Sequence, residues 1–189
     1  MVAVAVVLDV VFVVVAFGVR TVVQQRRTGD SGWRLGRPQG GAELVARGLL
    51  AGAAGALVVS LFASAAGGAP AIHAAGAAVA IASIVLVTVA QLQMGASWRI
   101  GVDPRERTEL VTHGLYASIR NPIYTGMAAF AAGQLLMRPN PWTWAALVAM
   151  WLGVQVQVRA VEEPHLWHLH GDRFTVWAAR AGRFVPGVG

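Results

Sequence analysis

The chain has 189 residues, of which 56% are hydrophobic and only 13% are charged, and its mean hydropathy is +0.58. Soluble domains usually carry roughly a quarter charged residues, so this composition excludes an ordinary water-soluble fold. The absence of cysteine excludes disulfides, thiolate metal sites and a cysteine nucleophile. The net charge of +6 comes from arginines that cluster between apolar runs without interleaved aromatic residues. Nucleic acid is therefore excluded as a partner.

Five apolar stretches are typical of membrane-spanning helices, which need about 20 residues each. They cover Val2 to Val23, Leu44 to Ala66, Pro70 to Leu92, Pro122 to Met137, and Pro141 to about Val158. The pattern predicts an all-α, polytopic membrane protein whose short fourth span is tilted or shielded by its neighbours. Asp9 is isolated in the first span, and we expect it to be exposed near the interface rather than to serve as a proton relay.

The fourth and fifth spans begin with the same Asn-Pro sequence. Asn121-Pro122 and Asn140-Pro141 each place a capping side chain before a proline at the first helical position. These starts predict a transmembrane helical hairpin over residues 122–158. In the second span, close helix contacts or a compositional bias toward small residues would explain three glycines, Gly48, Gly52 and Gly55.

The arginines indicate the orientation of the chain. Three segments carry most of them, and with five spans these segments share one side of the membrane, whereas Arg138 lies on the other. The positive-inside rule assigns the arginine-rich side to the cytoplasm, and the composition is typical of a bacterial plasma-membrane protein. The three segments contain Arg26, Arg27, Arg34 and Arg37, then Arg99, Arg105, Arg107 and Arg120, then Arg159, Arg173, Arg180 and Arg183.

Most reactive side chains fall in two of these segments, residues 91–124 and 159–184. In the second, Arg159 precedes Glu162 and Glu163 by three and four residues, which predicts that the guanidinium and a carboxylate share one helical face. Such a pair can hold an anionic group and accept a proton, or it can be a surface ion pair. Three histidines follow that do not share one helical face, so no metal site is predicted from His165, His168 and His170.

The first of these segments concentrates aromatic rings and hydrogen-bond donors around a free helix N-terminus. Tyr116 and Tyr124 are the only tyrosines in the chain, and Gly114 permits a close approach to the backbone. Tyrosines beside a span are often interfacial anchors. Their concentration here also suits a cradle for a polar ligand such as a nucleoside amino acid.

Together, the two segments resemble the isoprenylcysteine carboxyl methyltransferase family. The run from His113 to Gly126 resembles the signature G-x-Y-x-x-x-R-[HN]-P-x-Y-x-G. Arg159-x-x-Glu162-Glu163 resembles the C-terminal R-x-x-E-E pattern of that family, together with the later positions Leu166, Gly171, Phe174 and Arg183-Phe184-Val185-Pro186. Gln91-Leu92 and Gly95 to Trp98 resemble the segment that precedes this core. The resemblance covers about half of the chain, from Gln91 to Pro186, and does not extend to the first two spans. The apolar runs and the resemblance together divide the chain into residues 1–90, three N-terminal spans with a cytoplasmic loop 24–43, and residues 91–189, the catalytic core with the hairpin 122–158 and a C-terminal cytoplasmic segment.

The resemblance implies an enzyme that takes S-adenosylmethionine from the cytosol, releases S-adenosylhomocysteine, and methylates a lipophilic acceptor from the bilayer. It implies catalytic roles for Arg159, Glu162 and Glu163. It implies cofactor binding by Gln91, Val111, His113, Gly114, Leu115, Tyr116, Arg120, Asn121, Pro122, Tyr124 and Glu163.

The chemical class of the acceptor determines which of the three catalytic candidates would act on it. A carboxylate acceptor would be oriented by Arg159, whereas a phenol, amine or thiol would need Glu162 or Glu163 as a base. The chain departs from the family pattern at Asn121, where eukaryotic members have histidine, and at Phe174, where tyrosine is commoner. A small transporter or a membrane binding subunit without catalysis is the alternative, although the chain lacks the repeated halves and mid-span charges of transporters.

Overall fold

The computed structural model describes residues 2–36, 38–65, 67–103 and 106–189. Within these ranges the chain is helical, and its extended segments pair only at isolated bridges. Five long helices are followed by one short helix. They are α1 (Val2–Thr28), α2 (Gly41–Val59), α3 (Pro70–Met94), α4 (Pro122–Met137), α5 (Pro141–His170) and α6 (Asp172–Ala178).

Four helices are long and apolar enough to cross a membrane, namely α1, α2, α3 with its following turn, and α5. The fifth, α4, has the predicted bounds, but its 16 residues extend over only about 24 Å. The hydrocarbon core measures about 30 Å. Neighbouring helices enclose α4, and Gly126, Phe130 and Gln134 are buried. The chain is therefore an all-α, multi-pass membrane protein, as predicted.

The helix bounds differ from the predicted apolar runs mainly where polar residues continue a helix. α1 extends to Thr28 and α5 to His170, because hydropathy detects only the apolar part of each helix. In contrast, α2 ends at Val59, seven residues before the predicted end of the second span. Three residues named in the sequence predictions lie outside the described residues, namely Arg37, Ala66 and Arg105.

Two helices contain a π turn, in which each N–H bonds to the carbonyl five residues back instead of four. These turns are Val14–Val19 in α1 and Gln157–Glu162 in α5. A π turn inserts one extra residue and so rotates the side chains that follow it relative to an α-helix; such turns are frequent at functional sites. Neither turn follows from the hydrophobic pattern.

Among the described residues, the most extensive contact between two helices is that between α3 and α4. A side-chain carbon on Gly76 would lie 2.8 Å from the carbonyl oxygen of Gly133, and one on Gly126 would lie 2.5 Å from Val87. Small residues therefore let the two backbones approach, as in other membrane helix pairs. In the second span a side-chain carbon would meet nothing within 4 Å at Gly48, Gly52 or Gly55, so these three glycines do not mediate close helix contacts and the compositional alternative fits them.

Asp9 is not isolated, contrary to the prediction. It accepts a hydrogen bond of 2.5 Å from Nη2 of Arg138, which is 1% exposed at the end of α4. The turn beside Arg138 is closed by Asn140, whose side chain accepts from two backbone N–H groups at the start of α5, as predicted. This pair joins the first helix to the hairpin on the side of the bundle opposite to the start of α4. Asp9 and Arg138 are 129 positions apart, so the sequence pattern does not reveal the pair.

Candidate active site

The ends of three long helices meet on the other side of the bundle. There α3 ends in the turn Gly95–Ser97, α4 begins, and α5 passes through its π turn. Together with residues 108–111 and α6 they enclose a cleft with a cavity of about 100 Å³. The cleft is lined by Met94, Ser97, Thr108, Glu109, Leu110, Val111, Tyr116, Arg120, Asn121, Pro122, Ile123, Tyr124, Glu162, Leu166 and Trp177.

Glu162 lies where α4 and α5 meet at this cleft. The Tyr124 hydroxyl donates a hydrogen bond to its Oε1 atom, and Nε2 of Gln157 donates to the same oxygen at 3.1 Å. Neither contact involves the second oxygen, Oε2. The carboxylate is therefore held by two neutral donors and has an oxygen available for a further hydrogen bond or for a proton.

Arg159 is not ion-paired with either acid among the described residues, although its spacing to Glu163 predicts a shared helical face. Its side chain is exposed, and its Nε atom donates to Gln155 at 2.8 Å. Arg159 also does not line the cleft.

Glu163 points to different partners from those of Glu162. It lies 3.1 Å from Nε of Arg120 and accepts three hydrogen bonds of 2.9–3.1 Å from Nε and Nη2 of Arg183. Burial lowers the pKa of Arg120, while the charge of Glu163 opposes this change. Arg120 also donates to the carbonyl of Ala178 at 2.6 Å. This arrangement makes Glu163 the centre of an ion-pair cluster that ties α5 to the segment before α4 and to the C-terminal residues.

The C-terminal segment is bonded to the start of α4. The backbone N–H of Arg120 donates to Gly182 at 2.7 Å, and the Thr125 hydroxyl donates to Phe184 at 2.8 Å. The Asn121 side chain donates to the carbonyl of Arg183 at 3.2 Å and does not cap α4. The prediction that Asn121 caps this helix was therefore wrong, because the tertiary contact takes its amide group.

Tyr116 and Trp177 form the aromatic wall of the cleft. Both are buried, and the indole N–H of Trp177 donates to the carbonyl of Tyr116 at 2.7 Å. Burial, aided by the charge of Glu162, raises the pKa of Tyr116. The hydroxyl of Tyr116 therefore stays protonated at neutral pH and remains a hydrogen-bond donor.

Gly114 is required by the local backbone and packing. Its φ of +60° lies in the left-handed region, and a side-chain carbon there would lie 2.5 Å from the amide group of Gln93. Gln93 in turn accepts from the backbone N–H of Leu115 at 2.8 Å. The glycine thus fixes how the segment carrying Tyr116 packs on α3.

One wall of the cleft is anchored by a charged cluster outside the spans. Glu106 bonds to both Arg34 and Arg99, and Arg34 also pairs with Asp30. The hydrogen bond from Arg99 is the main cause that lowers the pKa of Glu106, and burial opposes it. The hydrogen bond from Arg34 lowers the pKa of Asp30 in the same way. The loop after α1 is therefore tied to the chain just before residues 108–111.

Comparison with known proteins now assigns the chain to a family. Residues 71–173, more than half of the chain, match the family model PEMT, phospholipid methyltransferase. The chain belongs to this family. The phospholipid methyltransferase match covers α3, the cleft segment, α4 and α5, but not α1 or α2.

Most of this phospholipid methyltransferase family member is also similar to a solved structure. That structure is of the eukaryotic intramembrane Ras methyltransferase ICMT (isoprenylcysteine carboxyl methyltransferase), and the match has a TM-score of 0.60 and 23% identity. The match covers 89% of this chain and 60% of that chain, so this chain is similar to less than two thirds of the ICMT protein. At this identity the likeness shows a shared fold. No curated protein matches the chain.

The predicted site residues of this phospholipid methyltransferase family member fall into two groups. Those that line the cleft are Val111, Tyr116, Arg120, Asn121, Pro122, Tyr124 and Glu162; those outside its lining are Gln91, His113, Gly114, Leu115, Arg159 and Glu163. Gln91 is buried and donates to the carbonyl of Ala16 in the π turn of α1, and His113 is exposed. Their roles in binding or catalysis stay predictions.

Several cleft residues were not predicted as site residues from the sequence. Trp177 comes from α6, Leu166, which was noted only as a position of the family pattern, comes from the end of α5, and Thr108, Glu109 and Leu110 come from a segment without regular structure. Trp177 could have been suspected, because it is a tryptophan in the second reactive segment. Among the described residues, no three His, Cys, Asp or Glu side chains converge as a metal site would require.

Proposed function

We propose that the chain is an S-adenosylmethionine-dependent methyltransferase that acts on a lipophilic acceptor with a removable proton, and that Glu162 takes this proton. The observation that carries the proposal is the carboxylate of Glu162, held by Tyr124 and Gln157 at a cleft between membrane helices. Arg159, which would orient a carboxylate acceptor, is turned toward Gln155 instead. This arrangement favours a phenol, amine or thiol over a carboxylate as the acceptor.

The cleft residues suit the cofactor chemically. Tyr116 and Trp177 offer aromatic surfaces to an adenine ring, and Glu109 and Glu162 offer carboxylates to ribose hydroxyls and to a positively charged sulfur. When bound, S-adenosylmethionine supplies an electrophilic methyl group on that sulfur. The cavity of about 100 Å³ is smaller than typical ligand pockets, which measure about 300–1,000 Å³. We therefore expect residues 108–111 to move outward on binding, because they have no regular secondary structure.

Different residues of the chain have different roles in methyl transfer. Glu162 accepts the proton that the acceptor atom loses as that atom forms its bond to the methyl carbon, while the electrons of the broken carbon–sulfur bond stay on sulfur. Tyr124 and Gln157 orient the carboxylate through Oε1 and leave Oε2 for the proton. The apolar side chains of Ile123 and Leu166 exclude water from the same cleft. A general base of this kind contributes roughly 10²–10⁴-fold to the rate.

We further propose that the cleft faces the cytoplasm of a bacterial cell. Arg34, Arg99, Arg120 and Arg183 lie on the cleft side of the bundle, and Arg138 lies at the opposite end of α4. The positive-inside rule assigns the arginine-rich side to the cytoplasm. The acceptor would reach the cleft from the bilayer, so that its reacting group meets Glu162 at the membrane boundary.

The test has two stages on the detergent-purified full chain. Calorimetry with S-adenosylhomocysteine first measures cofactor binding, and we expect micromolar affinity. Transfer of a labelled methyl group from S-adenosylmethionine is then measured against lipids with an amine, phenol, thiol or carboxylate headgroup. The Glu162→Gln variant is expected to bind S-adenosylhomocysteine normally and to lose about 10²-fold or more of its turnover.

Arg159→Gln is the matched control, because it removes a charge three residues away and outside the cleft. We expect this variant to keep its turnover with the proton-bearing acceptors. Loss of activity in Arg159→Gln with full activity in Glu162→Gln would reverse the assignment and favour a carboxylate acceptor. A folded wild-type chain that does not bind S-adenosylhomocysteine would overturn the proposed activity altogether.

A further inference from the structure

The first helix places two buried polar side chains beside the cleft. Arg20 and Gln24 lie one turn apart on the inward face of α1, where they are 4% and 0% exposed. They come from a helix that the family match does not cover. Both contact the turn in which α3 ends, next to the cleft wall.

These contacts are directed at the backbone of that turn. Nη2 of Arg20 donates to the carbonyl of Gly95 at 2.5 Å, and Nε2 of Gln24 donates to the carbonyl of Ala96 at 3.0 Å. The guanidinium of Arg20 also lies 4.8 Å from the ring centroid of Trp98, which is 2% exposed. The last carbonyls of a helix lack partners within it and carry partial negative charge. Nη1 of Arg99 also donates to the carbonyl of Ala96 at 2.7 Å. A cation and an amide donor from α1 therefore help to fix the turn that follows α3.

The fixed turn carries part of the cleft. Met94 and Ser97 line the cavity and immediately flank the two carbonyls that α1 holds. The backbone at Gly95 has a φ of +56°, which ends the helix and redirects the chain. A shift of this turn would move one wall of the cleft relative to Tyr116 and Trp177.

The arrangement is costly for a membrane helix. Among the described residues, Nε of Arg20 and Oε1 of Gln24 are buried without a hydrogen-bond partner. Buried polar atoms without partners destabilise a protein, and an apolar side chain at either position would avoid this penalty. Their presence on the inward face of α1 therefore points to a role beyond holding the bundle together.

We propose that Arg20 and Gln24 are positioning residues for the cleft, which hold the Gly95–Ser97 turn where Met94 and Ser97 complete the cofactor site. The first helix is thus part of the active site, although it lies outside the family-matching residues. The proposal rests on the cleft being the S-adenosylmethionine site proposed above.

The experiment compares Arg20→Ala, Arg20→Lys and Gln24→Ala with two controls in the full chain. Arg26→Gln changes an exposed arginine of the same helix. Asp9→Asn weakens a different attachment of α1, its contact with Arg138, at the far side of the bundle. For each variant, hydrogen exchange of the backbone N–H groups of residues 95–98 is measured without ligand. The dissociation constant of S-adenosylhomocysteine is measured well below the melting temperature.

We expect faster exchange at residues 95–98 in Arg20→Ala and Gln24→Ala, and a dissociation constant in Arg20→Ala raised by roughly tenfold or more, because a displaced wall misplaces the ligand. Arg20→Lys should recover part of the affinity. Asp9→Asn should melt earlier and bind normally, and Arg26→Gln should change neither property.

Unchanged exchange in Arg20→Ala would overturn the proposal whether or not the cofactor binds. Faster exchange with unchanged affinity would likewise overturn it, leaving Arg20 a purely structural group. A wild-type chain without affinity for S-adenosylhomocysteine would instead refute the proposed function. In that case the proposed role of Arg20 in cofactor binding is also refuted. Hydrogen exchange still decides whether α1 holds the Gly95–Ser97 turn.

Discussion

Glu162 and Glu163 are adjacent, but their contacts predict opposite consequences of the same substitution. In Glu163→Gln, Arg120 and Arg183 lose the carboxylate that compensates both of them. Breaking a buried ion pair by removing one partner costs roughly 3–5 kcal/mol. The side chains of Glu163 and Arg183 are 15% and 19% exposed, so the lower end of that range, about 3 kcal/mol, applies. In a domain of this size, this corresponds to a melting temperature lower by roughly 6–12 °C.

The assay is thermal unfolding in detergent, monitored by tryptophan fluorescence. Glu162→Gln is the matched variant. Glutamine at position 162 still accepts the hydrogen bond from Tyr124, so this variant should melt close to the wild type while losing turnover. Below its melting temperature, Glu163→Gln should bind S-adenosylhomocysteine with nearly normal affinity. A Glu163→Gln variant that melts normally but does not bind would refute the ion-pair role and assign Glu163 to the cofactor, as the family resemblance implies.

Three further substitutions test the surroundings of the cleft and the far side of the bundle. Gly114→Ala should destabilise the chain by about 1–2 kcal/mol through its left-handed backbone alone. Adding Gln93→Ala to this variant should remove only the additional steric clash with the Gln93 side chain, and both effects are measured as melting temperatures. The pKa of Glu106 is lowered in the folded chain, so its stabilising contribution is present above its unfolded pKa of about 4.3 and is lost as the pH falls through the folded value. Glu106→Gln should therefore flatten the acid limb of a plot of melting temperature against pH, and an unchanged limb would contradict this role. Asp9→Ala should destabilise by about 3 kcal/mol, and exchanging Asp9 and Arg138 for one another should recover part of this loss; no recovery would argue against the pair.

The sequence was sufficient for the features that depend on local composition. Apolar length located the helices, and the Asn140-Pro141 pair located the start of α5 together with its cap. The two reactive segments do converge, because helices that end on the same side of a bundle bring their flanking residues together. The cleft residues Tyr116, Tyr124 and Glu162 come from these segments.

The features that the sequence could not supply depend on tertiary contacts. The spacing of Arg159 and the acids does not reveal that Arg159 donates to Gln155 while Glu163 pairs with Arg120 and Arg183. Asn121 has the same local sequence as Asn140, yet its amide group bonds to Arg183, which is 62 residues away. The two acids look equivalent in sequence, and only their neighbours across the bundle distinguish the cleft-facing Glu162 from the ion-paired Glu163.

The short helix α4 can be understood from how its far end is buried. A 16-residue helix is about 6 Å shorter than a hydrocarbon core of ~30 Å, and polar backbone exposed to lipid is strongly unfavourable. The turn after α4 meets this constraint inside the protein: Asn140 caps α5, the Thr143 hydroxyl donates to the carbonyl of Arg138, and Arg138 pairs with Asp9. These contacts satisfy the backbone of the turn and pair Nη2 of Arg138 inside the protein, although Nε and Nη1 of Arg138 and Oδ1 of Asp9 are buried without a hydrogen-bond partner. The helix therefore does not need to reach the opposite surface. Its first residues can then stay at the cleft, where Tyr124 meets Glu162.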